Sequence, residues 1–433
     1  MHFGVIFSDV EIRPFLFYVD KPICFENSQR KIALAIDTGL PQVAPEDVGL
    51  STSRLHRINP LMQRYVDEGK LASIVTMVCR QGKVAHFNCF GTQDLKVPTQ
   101  RDTIFRIYSM TKPITTAAAM MLYEEGLFQL DDPVSNTIPE LKDVKVFAGE
   151  GNEPVALERE ITIRHLMTHT SGLTYGFLGG SPVAEMYNQA KVGRPDHTAE
   201  DMVQTLATLP LVNQPGTVWH YSVATDVLGR FVEVVSGQSL NDFFQERILD
   251  PLGMVDTGFW VREGEVNRFA TNYGPVVGGG IQVIDDPATS KFSSPQKYYS
   301  GGGGLVSTAS DYIRFCQMML NGGAFNGARL LGRKTVELMT MNHLSDELMP
   351  ISLGIINLAG EGFGLGGAIL LDVASSGGHG SVGTFRWGGA ATTSFWIDYE
   401  EELIGLLLTQ FMPTNYYRIR SEFKTLVYQA IVD

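Results

Sequence analysis

A serine and a lysine three residues apart stand in the segment Ile107-Tyr108-Ser109-Met110-Thr111-Lys112-Pro113-Ile114, at the mouth of a helix-like run. Residues three apart on a helix share a face, so this spacing sets the Ser109 hydroxyl beside the Lys112 amine. A serine hydroxyl attacks poorly until a neighbouring base takes its proton. A lysine drawn out of water favours its neutral amine and can act as that base. The pair is a candidate nucleophile and base. Ser-x-x-Lys is common by chance, but three features of its surroundings strengthen it. The lead-in Thr103-Ile104-Phe105-Arg106-Ile107 is mostly apolar, which predicts a buried approach. Pro113 has no N–H to return to the Ser109 carbonyl, so the helix must be just starting. Ser109 then sits near free backbone donors at a positive helix end. The run from Ile114 to Leu122 is apolar nearly all round, as in a helix passing through a large core.

Two further segments carry chemistry. A Pro215-Gly216 turn leads through Trp219-His220 to Tyr221-Ser222-Val223, just before a second helical run. A tyrosine relays a proton when a neighbouring cation favours its phenolate, although an aromatic core residue is the plainer role. Trp387-Gly388-Gly389-Ala390 leads into an apolar stretch. Two glycines let a substrate approach the backbone, and an N–H beyond them can serve as an oxyanion donor; a tight entry into a strand is the plainer role.

These pieces need a frame. Ser51–Val66 has helical periodicity, with Leu55, Ile58, Leu61, Met62 and Val66 on one face. Residues 72–80 and 84–90 read as an antiparallel pair around the turn Gln81-Gly82-Lys83. The Ser109 helix ends near Glu125-Gly126, and Asp131-Asp132-Pro133 opens a short element. Residues 161–231 read as helices and loops, including a helix from Ala224 to Val235 closed by Ser236-Gly237. Gly301–Gly304 precedes Leu305-Val306-Ser307 and a helix beginning near Asp311. Ala390–Ile397 and Leu403–Gln410 read as strands around the turn Asp398–Glu402, and a last helix spans about Tyr416–Ile431. Strands at both ends around a helical middle predict an α+β fold: one antiparallel sheet built from N- and C-terminal segments, flanked by helices, with a mostly helical inserted lobe.

The chain has 433 residues, 44% hydrophobic and 19% charged, within the range of globular proteins. That length suits two or three units, or one large fold with an inserted lobe. A formal net charge of -13 argues against a nucleic-acid footprint and against binding an anionic membrane surface. Cys24, Cys79, Cys89 and Cys316 form no C-x-x-C pair and no Cys/His cluster with zinc spacing. Cys79 and Cys89 lie on neighbouring strands and can approach, but buried free thiols are the expectation. Neither a metal nor a cofactor is expected. The apolar start Met1–Phe7 is interrupted by Asp9, Glu11 and Arg13, with no basic lead or small-residue cleavage site, and no run reaches a membrane-spanning length. A cytoplasmic location is the resulting expectation, with residues 1–45 an extension on the main body.

Three motifs point elsewhere and are set aside. Gly362-Phe363-Gly364-Leu365-Gly366-Gly367 matches G-x-G-x-x-G, but a strand-like run follows it where a dinucleotide site needs a helix. His379-Gly380-Ser381-Val382-Gly383 lacks the first glycine of a nucleophile elbow and any βαβ context. His165 and His169 are four apart without the glutamate of H-E-x-x-H, so packing or loop bonding is their expected role.

In order and surroundings, the three chemical segments resemble the serine β-lactamase and penicillin-binding-protein superfamily, closest to its class C branch and to the family VIII carboxylesterases. Ser-x-x-Lys falls on Ser109 and Lys112. The motif Tyr-x-Asn matches Tyr221 but has Val223 in third place. Lys-Thr-Gly, often Trp-Gly-Gly in the esterases, falls on Trp387-Gly388-Gly389. His165–Leu173, Asp250-Pro251-Leu252-Gly253-Met254 and Gly301–Ala309 are similar framework runs. The likeness spans roughly residues 45–430. It implies a hydrolase domain over 46–433, with an α/β part at about 46–105 and 300–433 and a helical lobe at about 106–299.

The resemblance also implies roles. Ser109 is the expected nucleophile, Lys112 and Tyr221 its coupled base pair, and the N–H groups of Ser109 and Ala390 the oxyanion hole. Trp387, Gly388, Gly389 and Val223 are expected to line the substrate pocket. Two departures bear on activity. Val223 replaces an asparagine that binds a substrate amide, and Trp387 replaces a lysine that receives a substrate carboxylate. A site without both polar handles holds an anionic β-lactam poorly, whereas an aromatic face suits an ester. The expected activity is a carboxylesterase acting on short uncharged esters. A β-lactamase, D-amino-acid peptidase or amidase, or acyltransferase using the same site is the alternative. A monomer or simple homo-oligomer with only a small-molecule partner is expected.

Overall fold

The computed structural model describes residues 37–353 and 356–433. Cys24 and most of the expected N-terminal extension lie outside the described residues. Helix α1 (Ile58–Asp67) precedes a hairpin of β1 (Ser73–Arg80) and β2 (Lys83–Gly91). The helical periodicity from Ser51 is broken: Thr52–Leu55 forms a separate short helix ahead of α1. Helix α2 (Thr111–Glu124) follows the nucleophile segment, and α3 (Ala224–Ser236) follows Tyr221. Helix α4 (Ala309–Leu320) returns the chain to five more sheet strands. These are β3 (Glu361–Phe363), β4 (Ala368–Leu370), β5 (Phe385–Gly388), β6 (Ser394–Asp398) and β7 (Leu403–Thr409). Helix α5 (Ile419–Tyr428) is the last element.

The seven strands form one sheet in the order β3-β4-β5-β6-β7-β1-β2, with every neighbouring pair antiparallel. The strands from the two ends meet at β7 and β1, where Ile74 stands opposite Thr409 and Arg80 opposite Leu403. Both faces are apolar because both are covered. Along β1, Val75, Met77 and Cys79 join the core on the α4 side, whereas Ile74 and Val78 join the core beneath α1 and α5. On β7, Ile404, Leu406 and Leu408 take the first face, and Leu403 and Leu407 the second. This is the period-two alternation of a strand, applied to a sheet with helices on either side.

Two expected boundaries move. The stretch 390–397 is not strand throughout: Trp387 and Gly388 end β5, residues 389–393 turn, and β6 starts at Ser394. The final helix begins at Ile419 rather than near Tyr416. The helical insert also holds a two-stranded hairpin, Asn272–Pro275 with Ile281–Asp285, that the periodicity did not announce. Cys79 stands opposite Val84 and Cys89 opposite Val75, so the register sets the two thiols far apart along the hairpin. Both are free, as is Cys316. No helix among the described residues is long and apolar enough to cross a membrane.

Candidate active site

The approach to Ser109 is clamped from several sides. Phe105–Arg106 pairs with Val306–Ser307, and the Ile107 N–H donates to the Leu305 carbonyl at 3.1 Å. Arg106 is wholly buried. Its Nε meets Asp285 at 2.6 Å, its Nη1 donates to the Ala270 carbonyl at 2.6 Å, and its guanidinium lies over the Phe269 ring. Asp285 ends the unexpected hairpin, so that element anchors the approach. Tyr108 then adopts φ 43°, a left-handed conformation that L residues seldom take. Such a residue costs on the order of 1–3 kcal/mol and persists only where its surroundings hold it. The edge-on contact of its ring with Phe292 and the clamp on Arg106 and Ile107 supply that hold.

Ser109 lies in a single 3-10 turn, Tyr108–Met110, and Lys112 in the first turn of α2. Every residue of α2 from Thr111 to Leu122 is buried, which matches the all-round apolar pattern. Lys112 Nζ lies 3.3 Å from Ser109 Oγ, 3.0 Å from the Tyr175 hydroxyl and 2.6 Å from the Gly302 carbonyl. An ammonium has three protons, and these three acceptors match them. Tyr221, at the approach to α3, places its hydroxyl 2.7 Å from Ser109 Oγ, and Lys112 Nζ sits 4.6 Å from the Tyr221 ring centroid. The structure thus brings together the three expected chemical residues from separate segments.

The other expected residues lie on segments adjoining this centre. Trp387 is buried, with its ring 5.5 Å from that of Tyr221. Val223 is buried immediately before α3. A Cβ on Gly389 would lie 2.3 Å from the Ile107 carbonyl oxygen, so only glycine lets the β5–β6 turn approach the segment before Ser109 this closely. Ala390 follows in that turn and is half-buried, like Ser109. The first hydrogen bond of the 3-10 turn is donated by Met110 to Ile107, which leaves the Ser109 N–H outside that bond.

The set-aside motifs take structural places. His165 caps its own short helix reciprocally with Thr162. His169 packs 4.7 Å from the Tyr221 ring, and its Nδ1 meets Ser222 Oγ at 3.3 Å. Burial, and then the Lys112 charge, hold its imidazole well below the usual range, so it stays neutral. The Ser381 N–H donates to Asp398, far along the sheet from Ser109. Glu361–Phe363 forms the edge strand β3 and Ala368–Leu370 the strand β4 beside it, in keeping with a strand after the glycine run. Among the described residues, no group of three or more His, Cys, Asp or Glu side chains is placed to hold a metal ion.

Sequence reasoning missed Tyr175 and the Gly302 carbonyl, two of the three groups around Lys112 Nζ. Tyr175 follows a Gly172 turn without a spacing to mark it, and a backbone carbonyl leaves no trace in residue type. Burial, and then Asp226, hold the Tyr175 phenol well above its ordinary range, so it remains protonated. The ring of Phe177, an exposed residue, stacks on Tyr175 with centroids 4.6 Å apart.

Comparison with known proteins agrees with this geometry. The family model described as Beta-lactamase matches residues 58–429. The chain is 41% identical over 362 residues to Protein Rv1367c of Mycobacterium tuberculosis, covering 81% of this chain and 89% of that one. It is 32% identical over 376 residues to Esterase EstB of Burkholderia gladioli, covering 82% and 89%. Among solved structures it is similar to EstCE1, a hydrolase with promiscuous acyltransferase activity, at a TM-score of 0.75 and 30% identity over 87% of this chain and 99% of that one. A family match across most of the length, a sheet built from both ends of the chain and a Ser-x-x-Lys pair at the start of a buried helix together make this chain an enzyme of the β-lactamase family, on the branch with esterase and acyltransferase relatives.

Proposed function

We propose that the enzyme hydrolyses short, uncharged carboxylic esters through an acyl-enzyme on Ser109. The observation that carries this reading is the pair of contacts at Ser109 Oγ, 2.7 Å to the Tyr221 hydroxyl and 3.3 Å to Lys112 Nζ. In the reaction, Ser109 Oγ bonds to the ester carbonyl carbon and gives its proton to the Tyr221–Lys112 pair. The carbonyl oxygen becomes an oxyanion facing the N–H groups of Ser109 and Ala390. Collapse breaks the bond to the alcohol oxygen, which takes a proton from the same pair. Water then gives a proton to Tyr221 while its oxygen bonds to the acyl carbon; the bond from that carbon to Ser109 Oγ breaks, the carboxylic acid leaves, and Oγ takes a proton back from the pair.

Substrate choice rests on Val223 and Trp387. Neither offers a charged handle to a lactam carboxylate, and Trp387, Tyr221 and Phe363 form an apolar aromatic wall. The deciding experiment compares kcat/KM for p-nitrophenyl butyrate and a chromogenic cephalosporin in one buffer. Much greater efficiency on the butyrate is expected; equal or greater efficiency on the cephalosporin overturns the ester reading. A fluorophosphonate should add its mass to the peptide holding Ser109, and labelling at Ser381 would reassign the nucleophile. Acyl transfer is the second reading, because EstCE1 is a hydrolase with acyltransferase activity. An added alcohol that captures most of the acyl group, with little free acid formed, selects it.

A further inference from the structure

Asp226 lies on α3, five residues after Tyr221, and is buried. Its carboxylate accepts from Ser300 Oγ at 2.5 Å, from the Gly302 N–H at 3.1 Å and from the Tyr175 hydroxyl at 3.4 Å. The Tyr298 hydroxyl is a further donor to it. Asp226 does not touch Ser109 or Lys112. It touches two of the units that do: Tyr175, whose oxygen lies 3.0 Å from Lys112 Nζ, and Gly302, whose carbonyl lies 2.6 Å from it.

These contacts fix a direction. A tyrosine hydroxyl carries one proton. The Tyr175 hydroxyl donates that proton to Asp226 Oδ2, so its oxygen is left to accept from Lys112 Nζ. The Gly302 peptide is held by both ends, its N–H on Asp226 and its carbonyl on Lys112. Two Nζ protons are therefore committed to Tyr175 and Gly302. The remaining position on Nζ, a proton in the ammonium or the lone pair in the neutral amine, is left facing Ser109.

We propose that Asp226 is a positioning residue for the acyl-transfer reaction: through Tyr175 and Gly302 it aims the third valence of Lys112 at Ser109. This inference rests on the Ser109–Lys112–Tyr221 reading above. In Asp226→Asn the shape is kept, but an amide N–H can now face Tyr175. Tyr175 then accepts from Asn and can turn its own proton toward the Lys112 lone pair, drawing it away from Ser109.

The test measures p-nitrophenyl butyrate hydrolysis by the full-length wild type, S109A, D226N, Y175F and the D226N/Y175F double variant, with circular dichroism on each. D226N and Y175F should each lower kcat by about 10- to 100-fold, the range for losing one charge-linked hydrogen bond. KM should change less than about threefold, because no substrate contact is lost. The double variant should be little worse than the poorer single one, since Asp226 acts through Tyr175. A folded D226N with kcat within twofold of wild type overturns the proposal. So does a D226N effect that multiplies fully with that of Y175F, which would mean two unrelated roles. If D226N does not fold, Y175F alone decides, because Phe keeps the ring and its stacking: retention of kcat within twofold overturns the proposal. S109A separates the two levels. Full activity in S109A refutes the underlying site, whereas a dead S109A beside near-normal D226N and Y175F refutes only the role of Asp226.

Discussion

Ser109 Oγ has two neighbours able to take its proton, and geometry ranks them. The Tyr221 hydroxyl is the nearer at 2.7 Å, with Lys112 Nζ at 3.3 Å. Lys112 is also shared with Tyr175 and Gly302, whereas His169 behind Tyr221 stays neutral and bonds Ser222 instead. Proton transfer by a placed group is typically worth about 10²–10⁴-fold. K112A and Y221F should each lower kcat by that order, with a smaller change in KM, because their contacts matter most as the Ser109 proton moves. The double variant should cost less than the product of the single effects, since both groups serve one proton. Steady-state kinetics on one ester checks this; strict multiplicativity would separate the two residues. At this scale the sequence was readable where residue type marks a segment: Ser109, Lys112 and Tyr221, singled out by type, spacing and family resemblance, lie within contact of one another. Tyr175 was not, because a tyrosine in a loop without a partner at fixed spacing looks like any packing aromatic. Gly302 acts through its carbonyl, which every residue has.

At the scale of elements, the turn between β5 and β6 depends on a helix from the far end of the chain. Arg420 on α5 donates from Nη2 to the carbonyls of Gly389 and Thr393, each at 2.6 Å, and from Nε to Thr392 at 3.4 Å. One planar guanidinium so holds both ends of the turn that carries Ala390. Arg420→Ala should loosen that turn and lower kcat by about tenfold, the scale of losing charged hydrogen bonds. Arg420→Lys should not restore it, because an ammonium lacks the fixed fork that reaches several carbonyls at once. Kinetics on the two variants, with circular dichroism to show that they fold, checks the claim, and wild-type turnover in the alanine variant would refute it. Hydrophobic periodicity revealed the long elements, such as α2, α3 and the β1–β2 hairpin. It misplaced the start of β6 because Ala390-Ala391-Thr392-Thr393 is as apolar as a strand, while the turn is set by long-range bonds to Arg420. The 272–285 hairpin was equally hidden: its second strand has no fully buried residue, so no buried face imposes a pattern on it.

On the scale of the whole molecule, the two ends of the chain close one sheet, and stability depends on what that closure buries. The prediction of one antiparallel sheet with an inserted lobe followed from where the strand-like runs lie, because β7 must pair with β1 for both runs to be covered. A less visible consequence is the burial of Asp311 at the start of α4. Its Oδ2 accepts from the Thr257 hydroxyl and the Asp256 N–H, while Oδ1 has no partner among the described residues. Burial, with the negative Asp256 close by, pushes its carboxyl up to about 7. The sign follows from linkage. In the unfolded chain an aspartate ionises near pH 4. Between about pH 4 and 7 the folded state therefore holds the extra proton, and this group makes stability fall as pH rises, at up to roughly 1.4 kcal/mol per pH unit. Asp311→Asn cannot ionise, yet its carbonyl can still accept from Thr257 and Asp256. Relative to wild type, D311N should lose ground or break even near pH 4 and gain steadily up to pH 7, after which the difference should level off. Urea denaturation midpoints for both proteins at half-unit pH intervals would trace this curve. A difference that stays flat from pH 4 to 7 would mean that Asp311 is ionised in the folded protein across the whole range, with Arg314 then its natural counter-charge.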